Sequence, residues 1–174
     1  MFMVKENIAQ KERLAKIYKK VELLYGNIPP QIQFLGNIEA DYLEEFLTQV
    51  LRFVKHPHIN SDLFGFIRLF VAFKEDYPYC KMFNTHFLQV KGYTQEQLDS
   101  AVADIMNVPF DMKHQALAAF ALKAIYKSQM CSKEDFEKLY VMGWSQKDVF
   151  DLVEHAGTIF RNGRILTAYM EKAS

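Results

Sequence analysis

The chain has 174 residues, half of them apolar, which is enough for a well-filled core and excludes a disordered polypeptide. Lysine plus arginine and aspartate plus glutamate balance at 21 each, so no general field draws nucleic acid or anionic lipid, and neither is expected as a partner. The two cysteines, Cys80 and Cys131, have neither zinc-site nor CxxC spacing and are too few for a secreted disulfide scaffold, so a reducing cytoplasm is the expected compartment.

The N-terminal stretch "MFMVKENIAQKER" has no apolar h-region, and no later segment approaches the ~18–20 uninterrupted apolar residues of a membrane span. A soluble protein is expected. "ENIAQKERLAKIYKKVELLYGN" carries Ile8, Leu14, Ile17, Val21 and Leu24 on one helical stripe and stops at Gly26-Asn27, before Pro29-Pro30. "PPQIQFLGNI" predicts a short helix opening at the prolines. "EADYLEEFLTQVLRFVK" follows, with Tyr42, Phe46, Val50 and Phe53 at helical intervals, and is stopped by His56-Pro57-His58.

Asn60 or Ser61 can cap "DLFGFIRLFVAFKEDY", a segment apolar nearly all round and therefore expected at the centre of the core. Pro78 opens "PYCKMFNTHFLQVK", with Gly92 past its end, and Thr94 caps "QEQLDSAVADI" with Gln97 at the third position. Asp111 can cap the alanine-rich "MKHQALAAFALKAIYKSQM", Ser132 can cap "KEDFEKLYVM", and Gly143 ends that short helix. Ser145 then caps a long closing helix from Gln146. Its Gly157 and Gly163 each weaken it by ~1 kcal/mol relative to alanine unless close packing needs them, and both are expected at helix crossings.

No strand alternation and no linker interrupts this order, so the expectation is one all-α domain over residues 1–174 with about eight or nine helices. "KGYTQEQLDSAV" and "MGWSQKDVFDLV" echo one another, as a repeated turn motif or a duplication.

The order of "IPPQIQFLGN", the "YPYC" turn, "KGYTQEQLDSAV", "HQALAAFALKAIYKS" and "GWSQKDVFDLVEHAGTIF" resembles the alkylhydroperoxidase D-like superfamily, which includes the carboxymuconolactone decarboxylases. The resemblance covers residues 28–170, after an N-terminal helix over 1–27. It implies an all-helical fold and a homo-oligomer. Redox-active members carry CxxCxxxH at the opening of a helix, with a glutamate about a dozen residues earlier. Laid on this chain, the first cysteine falls on Tyr77, the second on Cys80, the histidine on Asn84 and the glutamate near Gly65. The resemblance thus names Cys80, Tyr77 and Asn84 as catalytic candidates. An intramolecular CxxC disulfide is impossible here, and neither Asn84 nor Gly65 can exchange a proton near neutral pH.

Cys80 at a helix opening reads as a one-cysteine nucleophile passing through sulfenic acid, or as a buried small hydrophobe. Tyr77 reads as a phenol donor to a bound oxyanion, or as aromatic packing. Asn84, at i+4 from Cys80, shares its face, whereas His86 at i+6 points roughly 120° away. Glu75 and Asp76 could stand in for the absent glutamate, although they oppose the dipole of the helix they end. His56 and His58 form an HxH pair lacking a third ligand, so no metal is expected, and no cofactor either. His114 and His155 lie on helices, Arg161 and Arg164 could hold a carboxylate or pair with a neighbouring subunit, and Cys131 marks a helix start.

Three functions follow. One is a peroxide- or thiol-linked antioxidant oxidoreductase relying on Cys80 alone. Another is a cofactor-free decarboxylase-like enzyme with a basic-lined pocket for a small organic acid. The third is a catalytically inactive oligomeric binding or scaffold protein.

Overall fold

Helix caps written in the sequence set most of the boundaries of the protein, for which a computed structural model describes residues 2–171. Among the described residues there are nine α-helices, three short 3-10 turns, and no strand beyond one isolated bridge between Phe2 and Met170. The helices are α1 (Lys11–Tyr25), α2 (Pro30–Ile38), α3 (Ala40–Val54), α4 (Ser61–Lys74), α5 (Pro78–Val90), α6 (Gln95–Ala103), α7 (Met112–Tyr126), α8 (Lys133–Val141) and α9 (Gln146–Tyr169). The all-α expectation holds. By contacts the chain divides into two units: the described parts of Met1–Lys55 and Ala168–Ser174, and His56–Thr167.

In the first unit α1 turns Leu14, Ile17 and Val21 inward against Ile32 of α2 and Ala40 and Leu43 of α3. Ile8 lies on a 3-10 turn instead of that stripe and is exposed, and the side chain of Leu24 lies outside the described residues. On α3 the buried residues are Ala40, Leu43 and Phe53, and Phe46 packs half-buried against the core as its spacing predicts, whereas Tyr42 faces outward. Gln10 ties the α2–α3 corner by accepting the Ala40 N–H at 2.9 Å. Phe34 packs its ring against Phe2 and Tyr169, each at 5.1 Å between centroids.

The second unit is organised by α4, whose Leu63, Phe64, Phe66, Ile67, Leu69, Val71 and Ala72 are all buried. Each large apolar side chain so placed contributes about 1.5–3 kcal/mol of transfer free energy. Asn60 is the cap, accepting the Asp62 N–H at 2.9 Å. Thr94 and Gln97 form a complete capping box on α6, as do Ser132 and Asp135 on α8. Ser145 and Asp148 form the same reciprocal pair on α9, with Ser145 N–H to Asp148 Oδ2 at 2.9 Å and Asp148 N–H to Ser145 Oγ at 3.1 Å.

These boxes explain the echo between the two sequence segments. Gly92 and Gly143 have φ of 95° and 88°, and the aromatic after each donates its N–H back into the finished helix, Tyr93 to Leu88 O and Trp144 to Leu139 O, both at 3.1 Å. Each segment is a left-handed helix stop, an inward-packed aromatic, and a capping box that starts the next helix.

The same stop recurs without glycine between α4 and α5. Asp76 is the one non-glycine residue with positive φ among the described residues, 55°, and Tyr77 donates its N–H to Ala72 O at 2.9 Å. Tyr77 is extended, as a residue preceding proline must be, and buried against α9. A Cβ on Gly163 would lie 2.2 Å from Tyr77 Cδ2, whereas one on Gly157 would meet nothing within 4 Å. Of these two glycines, only Gly163 is a point of close approach. Denaturant unfolding should therefore separate the two: Gly163→Ala is expected to lose about 1–3 kcal/mol by overpacking, and Gly157→Ala to gain up to about 1 kcal/mol.

Candidate functional site

The turn that opens α5 divides the three residues implied by the resemblance. Tyr77 is spent on α9: its ring covers Gly163 and its hydroxyl points at Phe160 O, 3.4 Å away. Cys80 and Asn84 remain together on the first turns of α5. Asn84, 3 % exposed, donates from Nδ2 to Cys80 O at 2.8 Å and accepts from Arg68 Nε at 2.8 Å.

Arg68 comes from α4 and lies across Phe87 of α5, its guanidinium carbon 5.2 Å from the ring centroid. The space beside Gly65 is closed by this arrangement. A Cβ there would stand 3.0 Å from Leu88 Cδ2, 3.3 Å from Phe87 Cε1 and 3.5 Å from Arg68 Nη2. Where the resemblance would place a carboxylate and an imidazole, this chain has a guanidinium bonded to an amide. The sequence carried one signal for Arg68 that went unused. A charged residue in the middle of a helix that is apolar nearly all round needs a polar partner, and Asn84 is that partner.

Two opposing influences act on the Cys80 thiol. Burial is the larger and pushes it up to about 11, while the positive charge of Arg68 pulls it down. At pH 7 the thiolate is then on the order of one molecule in ten thousand. The helix opening does not compensate for burial. Both Cys80 and Cys131 are free thiols.

A denser ionisable cluster, which was not foreseen, lies where the His56-Pro57-His58 turn meets the first turn of α9. His56 and Asp148 have side chains 1 % and 4 % exposed, with His56 Nε2 at 3.7 Å from Asp148 Oδ1 and 3.3 Å from Asp151 Oδ2. His58 Nδ1 bonds Asp148 Oδ1 at 3.0 Å, and Lys147 pairs with Asp151. Burial opposes ionisation of Asp148, but the Ser145 hydroxyl and N–H and His58 outweigh it and hold the carboxyl below its usual range. His56 is pushed down by burial, against the pull of both aspartates. Its Nδ1 accepts the N–H groups of His58 at 3.3 Å and Ile59 at 2.9 Å, so its proton sits on Nε2. That tautomer offers no lone pair to a metal, and among the described residues no group of three or more ligating side chains could hold one.

A cavity of about 340 Å3 lies between α4, α6 and α7, lined by Phe70, Ile105 and Leu122 and rimmed by Lys74, Lys123 and Lys127. Much of that positive charge is already used. Lys123 pairs with Asp135 at 2.6 Å, and the Lys74 ammonium sits 4.0 Å from the centroid of the Tyr126 ring. Lys74 and Lys123 also stand in the last turns of α4 and α7, where cations offset the helix dipole. Arg161 bonds only its neighbour Asn162 at 3.3 Å, and Arg164 lies over Phe160 at 6.0 Å, so neither shows a carboxylate partner among the described residues.

No family model matches the chain, and no curated protein matches it. Solved structures do. An uncharacterized peroxidase-related protein from Silicibacter sp. TM1040 superposes with a TM-score of 0.78 at 17 % identity, over 93 % of this chain and 86 % of that one. The alkylhydroperoxidase AhpD core of an uncharacterized peroxidase-related protein from Ralstonia eutropha JMP134 gives 0.79 at 17 % identity, over 97 % and 90 %. The chain has the helical fold of the alkylhydroperoxidase AhpD core.

Proposed function

We propose that this chain is an AhpD-fold protein that has left thiolate-driven peroxide reduction and acts as a self-associating binding or scaffold protein. The observation that carries the reading is the environment of Cys80, where burial outweighs Arg68 and keeps the thiol protonated up to about 11. A peroxidatic cysteine needs the thiolate, and proton transfer needs a group that titrates near neutrality. Asn84 and Gly65 supply none. Self-association is supported by apolar side chains left on α8 and the start of α9: Val141 is 89 % exposed and Phe150 65 % exposed.

A second reading, a decarboxylase-like protein holding a small organic acid, is favoured by the lysine-rimmed cavity beside α7. Its charges are largely committed to Asp135 and to the helix ends, so it ranks second.

Alkylation of Cys80 followed against pH in the folded protein tests the first reading, with Cys80→Ser as the blank. The rate is expected to rise with a midpoint well above the unperturbed ~8.5, to shift further up in Arg68→Met, and to show no sulfenic acid after stoichiometric peroxide at pH 7. A midpoint below that value with peroxide-dependent oxidation would restore the one-cysteine peroxidase.

Stability should move in the same direction. Above the unfolded thiol's pKa the unfolded chain gives up a proton that the folded chain keeps, so folding stability falls as pH rises from about 9 towards 11. Cys80→Ala should flatten that alkaline loss in denaturant titrations at successive pH values. For self-association, sedimentation velocity should show an oligomer that Val141→Glu with Phe150→Glu converts to monomer; a wild-type monomer at tens of micromolar would refute the scaffold role.

A further inference from the structure

We infer that the turn from His56 to Asn60 is a proton-operated latch, closed on α9 while His56 is neutral and opened when its imidazole takes up a second proton. Neutral His56 has its Nδ1 lone pair fully used, while its buried Nε2 faces two carboxylates without a well-formed hydrogen bond. Nδ1 accepts the His58 and Ile59 N–H groups, at 3.3 and 2.9 Å, and the Nε2 proton lies between Asp151 Oδ2 at 3.3 Å and Asp148 Oδ1 at 3.7 Å. The side chain is 1 % exposed, so water cannot substitute for either set of contacts.

A second proton has one place to go, the Nδ1 lone pair. Three N–H groups would then converge with no acceptor among them, and Ile59, only 2 % exposed, could not turn its N–H to solvent without moving the backbone. The imidazolium itself is held by two carboxylates. The backbone of the turn therefore gives way while the ring stays beside α9. Asp148 keeps its bonds from Ser145 N–H and Oγ at 2.9 and 2.7 Å, so the cap of α9 survives and the opening is local.

The charged groups facing His56 are Asp148, Asp151 and Lys147 from α9 and His58 from its own turn. The α4 side presents the Phe64 ring at 5.9 Å, and His155 of α9 lies against that same ring at 4.9 Å. Burial sets His56 below its ordinary value of 6.5 despite the aspartates. The latch thus contributes in full above about pH 6.5 and is lost as the pH falls through the folded value.

Amide exchange read residue by residue by NMR between pH 7.5 and 5, expressed as protection relative to intrinsic exchange, tests the latch in the full chain. Protection at Ile59 is expected to fall at least tenfold while Phe66 and Ile67 in α4 stay unchanged. His56→Asn places an amide oxygen where Nδ1 accepts but cannot titrate, and its Ile59 protection should not respond to pH. His58→Gln should respond as the wild type does. A flat wild-type profile, an equal fall in His56→Asn, or simultaneous loss at Phe66 and Ile67 would overturn the proposal. Should His56→Asn not fold, the ring 15N shifts of wild-type His56 decide instead: an Nε2-protonated tautomer at pH 7.5 that titrates with Ile59 exchange supports the latch, and an Nδ1-protonated one refutes it.

Discussion

The larger unit depends on one constraint: the middle of α4 is apolar nearly all round, so everything around it must supply covering surface, and the one cation within that stretch, Arg68, must find a polar partner. Arg68 meets that demand through Asn84, and Asn84 in turn reaches back to Cys80 O. The surroundings of the only thiol on α5 are therefore set by the need to satisfy a half-buried guanidinium. Catalytic and structural demands compete for the same space, and here the structural one occupies it.

That competition is how, on the proposed reading, a fold keeps a cysteine at a helix opening while its thiol is held protonated. The positive end of a helix and a nearby arginine both favour thiolate, yet each acts on a half-buried group for which desolvation is the larger effect. Gly65 completes the exclusion, because Phe87, Leu88 and Arg68 close over the position where a side chain would have to enter. Tyr77, adjacent in sequence, is bound by a different necessity. Its ring fills the groove that Gly163 opens on α9.

The most concentrated ionisable chemistry lies elsewhere, at the start of α9. Asp148 serves the Ser145 capping box and receives His58, and together with Asp151 it faces His56. The backbone N–H groups of the turn impose the tautomer on His56, and its buried Nε2 is left facing two carboxylates without a well-formed hydrogen bond. A single proton then has leverage over several bonds at once.

The sequence by itself determined the helices and most of their caps, although α1 begins only at Lys11 and α7 ends at Tyr126, inside the segments their periodicity predicts. Proline, glycine and the Ser/Thr/Asp/Asn caps act through neighbours within four residues, so Thr94, Asp111, Ser132 and Ser145 could be assigned without any tertiary information, while the structure chose Asn60 over Ser61. The repeated Gly-aromatic-hydroxyl pattern was legible for the same reason. Inward faces were less secure: Tyr42 and Ile8 were expected in the core and are exposed, because which side of an amphipathic helix is covered depends on its partner. Tertiary structure alone decided that Gly163 meets Tyr77 while Gly157 meets nothing, that Arg68 lies against Asn84, and that a histidine of one turn sits between two aspartates about ninety residues away. Desolvation and long-range pairing depend on what surrounds a group in space, and that surrounding is not written in its sequence neighbours.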